Sequence, residues 1–260
     1  MAERLFDHLP AVEAQLRASP RWLIGLDFDG TLAPIVEDPA DATLEPRLLP
    51  LLRSLAARPN LSLIIMSGRE RVDVESRVGL AGLIYAGNHG LDIVCGSLHF
   101  VEPTAAASQP ALNSMAEAMT NKLTGIPGAI VEHKGLTLSV HYRMVDENLH
   151  EEVRRHVHSV LASTDHPFVL TTGKRVFEIR PRTYWNKGAA MSWIKEQIAP
   201  EANLLYVGDD RTDEDAFRVC PDGITIRVGQ SEETVASYYL DYQTDIFDFL
   251  EWLKSHIPTA

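Results

Sequence analysis

Asp27 and Asp29 close an apolar run in the stretch LDFDGTL. Two carboxylates two positions apart on an extended chain face the same way, and like charges that close need a cation or a shared proton. Gly30 lets the backbone turn sharply directly after them. A bare pair of aspartates separated by one residue is usually a solvated acidic turn; D-x-D-G-T behind a buried run is far more specific. A second acidic group, Gly208 to Asp215 (GDDRTDED), places five carboxylates in seven positions after another apolar run. Glu214 and Asp215 could serve a helix N-terminus, where acids complement the macrodipole. Asp209 sits at the strand end, level with Asp27 if the two strands are neighbours. Three convergent oxygen ligands suit Mg²⁺, and the lack of His or Cys partners makes zinc a poorer fit. Ser67, in MSGR, is either an N-cap or a hydroxyl donor. Lys187, in WNKG, opens a helix as a surface residue or as a fixed cation. Together these four sites supply a carboxylate nucleophile, a metal ligand set, a hydroxyl donor and a cation. Phosphoryl transfer needs that inventory, because its transition state spreads charge over oxygens that must be held and neutralised.

The elements that must position them are legible as short apolar runs ending in polar turns. Trp22 to Phe28, Leu61 to Met66, Leu83 to Ala86, Leu204 to Val207 and Ile224 to Val228 lack alternation and read as strands buried on both faces. Helical patterns at Pro46 to Ala57, Gly188 to Ile198 and Thr212 to Val219 separate most of them. Strand alternating with helix predicts an α/β fold with a doubly wound parallel sheet, whose ligands bind beyond the carboxyl ends of the strands. The middle of the chain differs. Thr104 to Pro110 (TAAASQP) reads as a loop, with a helix over Ala111 to Leu123 and strands at Ala129 to Glu132 and Leu136 to Arg143. In the latter, Leu136, Leu138, Val140 and Tyr142 alternate with Thr137, Ser139, His141 and Arg143, the period of a half-exposed antiparallel strand. A helix over Glu147 to Ser163 and strands at Phe168 to Thr171 and Arg175 to Ile179 complete an inserted α+β block. The expected organisation is a core of 1–103 and 181–260 with an inserted domain of 104–180.

Composition bounds the rest. Lys and Arg number 24 against 36 Asp and Glu, a formal charge of −12 over 260 residues. That balance disfavours a nucleic-acid surface, since phosphate backbones reward excess Lys and Arg. Cys95 and Cys220 are too few and too far apart for a disulfide framework or a CxxC metal site, and fit a reducing cytosol. Charges at Glu3, Arg4, Asp7, Glu13 and Arg17 break up any signal-like run, and no segment has the roughly 18 apolar residues that span a bilayer. The expectation is a cytoplasmic protein with no membrane or nucleic-acid partner.

The chain resembles the haloacid dehalogenase-like phosphatases: Asp27-x-Asp29-Gly-Thr, Ser67, Lys187 and Gly208-Asp209-x-x-x-Asp213 stand in that superfamily's order. More narrowly, LDFDGTLAPI, MSGR, YAGNHGL, VEHKGLTLSVHYR, NKG and GDDRTDEDAF are similar to the trehalose-6-phosphate phosphatase family. The resemblance implies a Rossmann-like core with a mobile α+β cap, and hydrolysis of trehalose 6-phosphate to trehalose and phosphate. It makes Asp27 the nucleophile that forms an aspartyl-phosphate, and Asp29 the group that protonates the leaving sugar oxygen and then activates water. Mg²⁺ would be held by Asp27, Asp209 and the backbone carbonyl of Asp29. Ser67 and Lys187 would grip the phosphoryl oxygens, and Asp213 would orient Lys187 or the metal site. Glu132, Lys134, His141 and Arg143 would meet sugar hydroxyls, and Arg69, Asn88, His89, Glu178 and Arg180 would line the cleft. Without the resemblance, the inserted-block residues read equally as solvated sheet positions, and Asn88 and His89 as tight-turn chemistry. The resemblance also implies a monomer functionally linked to a trehalose-phosphate synthase. Alternatives are a phosphatase for sucrose phosphate or mannosylglycerate phosphate, or a non-catalytic phosphosugar-binding regulator.

Overall fold

The computed structural model describes residues 2–165, 167–173 and 175–258. Its strands and helices, in chain order, are β1 (Glu3–Arg4), α1 (Leu9–Ala18), β2 (Trp22–Asp27), α2 (Leu48–Ala56), β3 (Leu61–Met66), α3 (Arg71–Val78), β4 (Ile84–Gly87), β5 (Asp92–Cys95), β6 (Leu98–Val101) and α4 (Pro103–Leu123). There follow β7 (Ile130–His133), β8 (Leu138–His141), α5 (His150–Ala162), β9 (Phe168–Gly173), β10 (Val176–Pro181) and α6 (Lys187–Ile198). The chain closes with β11 (Asn203–Gly208), α7 (Glu214–Arg218), β12 (Ile224–Val228), β13 (Tyr238–Leu240) and α8 (Asp245–His256). Contacts divide it into two units, Met1–Phe100 with Trp185–Ala260, and Val101–Tyr184.

In the larger unit β2 is buried at every position, because WLIGLD offers apolar side chains to both faces of the sheet. The sheet order is β1-β13-β12-β11-β2-β3-β4-β5-β6. Pairing is parallel from β1 through to β4 and antiparallel between β4 and β5. The chain builds outward from β2 to β3 and β4 on one side and later from β11 to β12 and β13 on the other. The β2/β11 boundary is therefore the switch point at which such sheets bind ligands. Leu26 lies opposite Val207 and Asp27 opposite Met66, so Asp27, Ser67 and Asp209 leave the sheet near one level. Alternate side chains feed two cores. Ile24, Leu26, Ile65 and Val207 pack with Leu48, Leu52, Phe249 and Leu253 of α2 and α8. Leu23, Ile64, Met66 and Tyr206 pack with Met191 and Ile194 of α6 and Phe217 of α7.

The smaller unit is a four-stranded sheet in the order β7-β8-β10-β9, with antiparallel pairing throughout. Its core joins Leu112, Met115 and Met119 of α4, Val153, Val157 and Val160 of α5, and Leu138, Val140, Phe177 and Ile179 of the sheet. Two expectations change. Thr104 to Pro110 is helix rather than loop: α4 starts at Pro103, with the Glu102 side chain capping it by accepting from the Ala105 amide. Proline is at home at that first position, and the alanines after it are the best helix formers. Pro110, expected at the end of that loop, is carried inside the helix, and the Ser114 hydroxyl donates to its carbonyl. Second, β8 is not half-exposed, since Thr137 and Ser139 are as buried as Leu138 and Val140. Among the described residues no helix is long and apolar enough to cross a membrane.

Candidate active site

The last residue of β2 is Asp27, itself buried at 4% exposure. Its Oδ1 accepts from Lys187 Nζ at 2.6 Å. The lysine reaches it because Asn186 caps α6, its side chain accepting from the Ala189 amide at 2.9 Å, which makes Lys187 the first helical residue. Lys187 Nζ also donates to Asp213 Oδ1 at 2.6 Å, and that oxygen accepts a second hydrogen bond, from Tyr206 Oη at 2.8 Å. Burial holds the Asp27 carboxyl well above the usual carboxylate range, against the opposing pull of Lys187. For Lys187 burial works downward, but Asp213 and Asp27 overcome it and hold the ammonium well above its ordinary value. Burial, and then Asp213, raise the Tyr206 phenol well above its own, so the hydroxyl stays a donor.

The turn after β11 carries the other acids. Asp213 Oδ2 accepts from the Asp210 amide at 2.9 Å, and its carboxylate folds back over Gly208 so closely that a Cβ there would lie 2.2 Å from Asp213 Cγ. Gly30, at φ +84°, makes the same allowance for Asp209: a Cβ would sit 2.1 Å from its Oδ2. Two of the glycines in the sequence motifs are thus spaces for carboxylates. Asp27, Asp209 and Asp213 bring one oxygen each within 4.8 Å of one another. Asp209 Oδ1 is buried with no hydrogen-bond partner, and burial, then Asp213, push this carboxyl up to about 7. Three carboxylates face one ammonium, and an orphaned oxygen points inward. A hard divalent cation would satisfy both the charge and the oxygen. Behind the turn, Arg227 Nη1 donates to Glu214 Oε1 at 2.9 Å and to the Asp210 carbonyl at 3.3 Å, while Glu214 Oε2 accepts from the Val235 amide. Glu214, a candidate for simple helix-end complementarity, is therefore a brace within the fold.

Asp29 does not share Asp27's partner. Its carboxylate is gripped by Arg69, with Nη2 at 2.7 Å from Oδ1 and Nε at 2.8 Å from Oδ2, a bidentate pair. The same guanidinium, 8% exposed, donates to Asp73 and to the Pro39 carbonyl. Ser67, nearly fully buried, accepts the Arg69 amide on Oγ at 3.1 Å. The amides of Asn88 and His89 donate to the carbonyls of Arg69 and Ser67 at 2.7 and 2.8 Å, lacing the ends of β3 and β4 together. Both residues take positive φ, 50° and 58°, a conformation that non-glycine residues hold only where the surroundings dictate it. The backbone of Asn88 and His89 is thus that of the tight turn.

In the smaller unit, five of the expected residues form one polar network. His141 Nε2 lies 2.7 Å from Glu132 Oε2, and Lys134 Nζ lies 3.6 Å from the same oxygen and 4.0 Å from Glu178 Oε1. Arg180 Nε is 4.0 Å from Glu178 Oε2. Arg143, expected to share a face with His141, lies exposed two positions past the end of β8. Sequence reasoning missed Tyr206, Asp73 and Arg227. For Tyr206 a signal existed: a phenol inside a run buried on both faces has to find a partner for its hydroxyl.

A carboxylate fixed by an ammonium, a second carboxylate nearby, a hydroxyl on the next strand end and an acidic cluster meet at a sheet switch point, the inventory that phosphoryl transfer needs. A family model described as Trehalose-phosphatase matches residues 25–243. A trehalose-phosphate phosphatase of Mycobacterium tuberculosis is 37% identical over 244 residues, covering 90% of this chain and 61% of that protein. A probable trehalose-phosphate phosphatase E of Arabidopsis thaliana is 38% identical over 245 residues, covering 88% and 68%. The solved C-terminal domain of a trehalose-6-phosphate phosphatase from C. albicans superposes with a TM-score of 0.77 at 26% identity, covering 98% of each chain. The chain belongs to the trehalose-phosphatase family. It spans 61% of the length of the mycobacterial relative.

Proposed function

We propose that this chain is a phosphoric monoester hydrolase that releases phosphate from trehalose 6-phosphate by way of Asp27. The observation that carries the reading is the Asp27 carboxylate at the end of β2, nearly buried, with one oxygen fixed by Lys187 and therefore aimed. The other oxygen attacks phosphorus; the bond from phosphorus to the sugar oxygen breaks, and that oxygen takes a proton from Asp29. Asp29 then accepts a proton from the water that attacks the aspartyl-phosphate, so the second half restores both carboxyls. For the first step Asp29 has to leave its fork on Arg69, since both of its oxygens are engaged there by the guanidinium. Ser67 accepts from the Arg69 amide through Oγ, which leaves its hydroxyl proton for a phosphoryl oxygen. Lys187 screens the charge of Asp27 as the dianionic phosphate approaches.

Mg²⁺ fits the orphaned Asp209 Oδ1 and the local excess of negative charge. Asp27, Asp209 and the Asp29 carbonyl would hold it, and bound there it would supply positive charge to the phosphoryl oxygens. Asp213 is the less suitable ligand, because its two oxygens already accept from Lys187, Tyr206 and the Asp210 amide; we assign it to orienting Lys187. The sugar would be recognised by Glu132, Lys134, His141, Glu178 and Arg180, with Arg143 at their margin. Arg69, Asn88 and His89 would shape the phosphate end. The two free thiols, Cys95 and Cys220, support a reducing cytosol as the working compartment.

The test is phosphate release from trehalose 6-phosphate, sucrose 6-phosphate, mannosylglycerate phosphate and glucose 6-phosphate, with and without Mg²⁺. The reading expects Mg²⁺-dependent turnover with trehalose 6-phosphate well ahead of the others. Equal, weak activity on all four would remove the sugar assignment, and binding without hydrolysis would turn the chain into a phosphosugar sensor.

A further inference from the structure

The Tyr206 hydroxyl sits in the catalytic ion-pair chain without touching anything that reacts. It is fully buried inside β11. Its oxygen donates at 2.8 Å to Asp213 Oδ1, the same oxygen that receives Lys187 Nζ at 2.6 Å. Asp213 Oδ2 is held by the Asp210 amide at 2.9 Å. One carboxylate is thus pinned by three donors from three elements: β11, the turn after it, and the start of α6. Lys187 in turn divides its donors between Asp213 and Asp27.

A second observation shows that the ring's position is built in. At Gly25, in the middle of the central strand, a Cβ would lie 2.5 Å from Tyr206 Cδ2, 2.8 Å from Cε2 and 3.1 Å from Met191 Sδ. Real Cβ atoms essentially never come within 3.0 Å of another heavy atom, so any larger residue at 25 would displace the ring. A glycine at the centre of a strand costs stability relative to alanine, yet β2 carries one where the phenol crosses it. The run WLIGLDFD thus holds the nucleophile at one position and, two positions earlier, the space that sets the tyrosine.

We propose that Tyr206 is a positioning residue for the hydrolysis: its hydroxyl fixes the plane of the Asp213 carboxylate, which holds Lys187 on Asp27, and Gly25 exists to seat its ring. Without that hydroxyl, Oδ1 of Asp213 has Lys187 as its only donor. Held then by the Asp210 amide on Oδ2 and by Lys187 alone on Oδ1, the carboxylate can tilt about its Cβ–Cγ bond and draw Nζ away from Asp27. The consequence falls on the aim of the nucleophile and not on substrate binding, because Tyr206 is closed off from any ligand.

The inference rests on the phosphatase reading, and the experiment separates the two. The full chain, its Tyr206→Phe and Gly25→Ala variants, Asp213→Asn and the double variant Tyr206→Phe/Asp213→Asn are assayed with Mg²⁺. The substrates are trehalose 6-phosphate and p-nitrophenyl phosphate. Loss of one hydrogen bond to a charged group predicts a fall in kcat of about tenfold for Tyr206→Phe, with KM within about twofold of the parent. Gly25→Ala, which keeps the hydroxyl but displaces the ring, should show the same loss in kcat alone. The double variant should be no slower than Asp213→Asn, since both changes cut one chain. A wild type that releases no phosphate from either substrate removes the phosphatase reading and this inference together. An active wild type with an unchanged kcat in Tyr206→Phe, a loss confined to KM, or additive losses in the double variant overturns the inference alone.

Discussion

Replacing Lys187 by methionine keeps most of the side-chain volume and removes the charge, which isolates what the ammonium does. Lys187 is 2% exposed and lies 2.6 Å from Asp27 Oδ1 and 2.6 Å from Asp213 Oδ1, themselves almost wholly out of water. Breaking a buried ion pair by deleting one partner costs about 3–5 kcal/mol, because the other charge is left uncompensated. At roughly 2–4 °C per kcal/mol for a unit of this size, the metal-free variant should melt on the order of 10 °C below the wild type at pH 8. The sign with pH is worked from the shifts. Lys187 is raised above its ordinary value, so its contribution is complete at every pH below that value and adds no slope between pH 5 and 8. Asp27 is raised by burial, with Lys187 as the main opposing influence. Without the lysine Asp27 rises further, and the variant loses stability as pH climbs above the ordinary carboxylate range. The deficit should therefore be largest at pH 8 and shrink toward pH 5, where the carboxyl takes up a proton and the buried charge disappears. Thermal melts of the larger unit in chelator at pH 5, 6.5 and 8, followed by tryptophan fluorescence, measure this. A deficit independent of pH, or a variant as stable as wild type at pH 8, would refute the buried-charge reasoning.

Asp209 gives a related expectation for the cation. Its carboxyl moves from an ordinary value of 3.8 to about 7 through burial, so its ionisation lowers stability progressively as pH rises between those values. The rise in melting temperature on adding Mg²⁺ should accordingly be larger at pH 8 than at pH 5.5, as scanning fluorimetry would show. Gly30→Ala would set a Cβ 2.1 Å from Asp209 Oδ2 at a φ of +84°. It should reduce Mg²⁺ affinity by at least about tenfold and add about 1–2 kcal/mol of backbone strain, read by calorimetric titration and by melting. Cys220 is 4% exposed, and burial pushes its thiol up to about 12. A thiol reagent at pH 8 should therefore leave it unmodified in the native chain and reach both cysteines only in denaturant.

What could be read from the sequence divides along physical lines. The strands β2, β3, β11 and β12 announced themselves because a run such as LSLIIM or NLLYVG buried on both faces has no other stable arrangement. Their order in the sheet placed Asp27, Ser67 and Asp209 at one edge. Local reasoning failed where tertiary context decides. TAAASQP is small and polar enough to read as a loop, yet its alanines favour helix, the Glu102 side chain caps it, and Ala105 and Ser108 are buried on the face that continues through Leu112 and Met115. The alternation in β8 was real, but it did not make Thr137 and Ser139 solvent-facing. At the site, residue types were legible and partnerships were not. No pattern along the chain says that Arg69 forks onto Asp29, forty positions away, rather than waiting for a ligand. Nor does any say that Gly25, Gly30 and Gly208 are spaces for Tyr206, Asp209 and Asp213. The clue for Tyr206 was only that a buried phenol must bond to something.

The central claim is that the carboxylate of Asp27 becomes phosphorylated during turnover. The most direct test is an acid quench of the full chain mixed with Mg²⁺ and trehalose 6-phosphate, followed by borohydride reduction and peptide mass spectrometry. An acyl phosphate reduced in this way leaves homoserine in place of the aspartate. The account predicts homoserine at position 27, absent without substrate and absent in Asp27→Asn. Continued phosphate release with no modification at 27, or a modification at Asp29 or Asp209 instead, would contradict it.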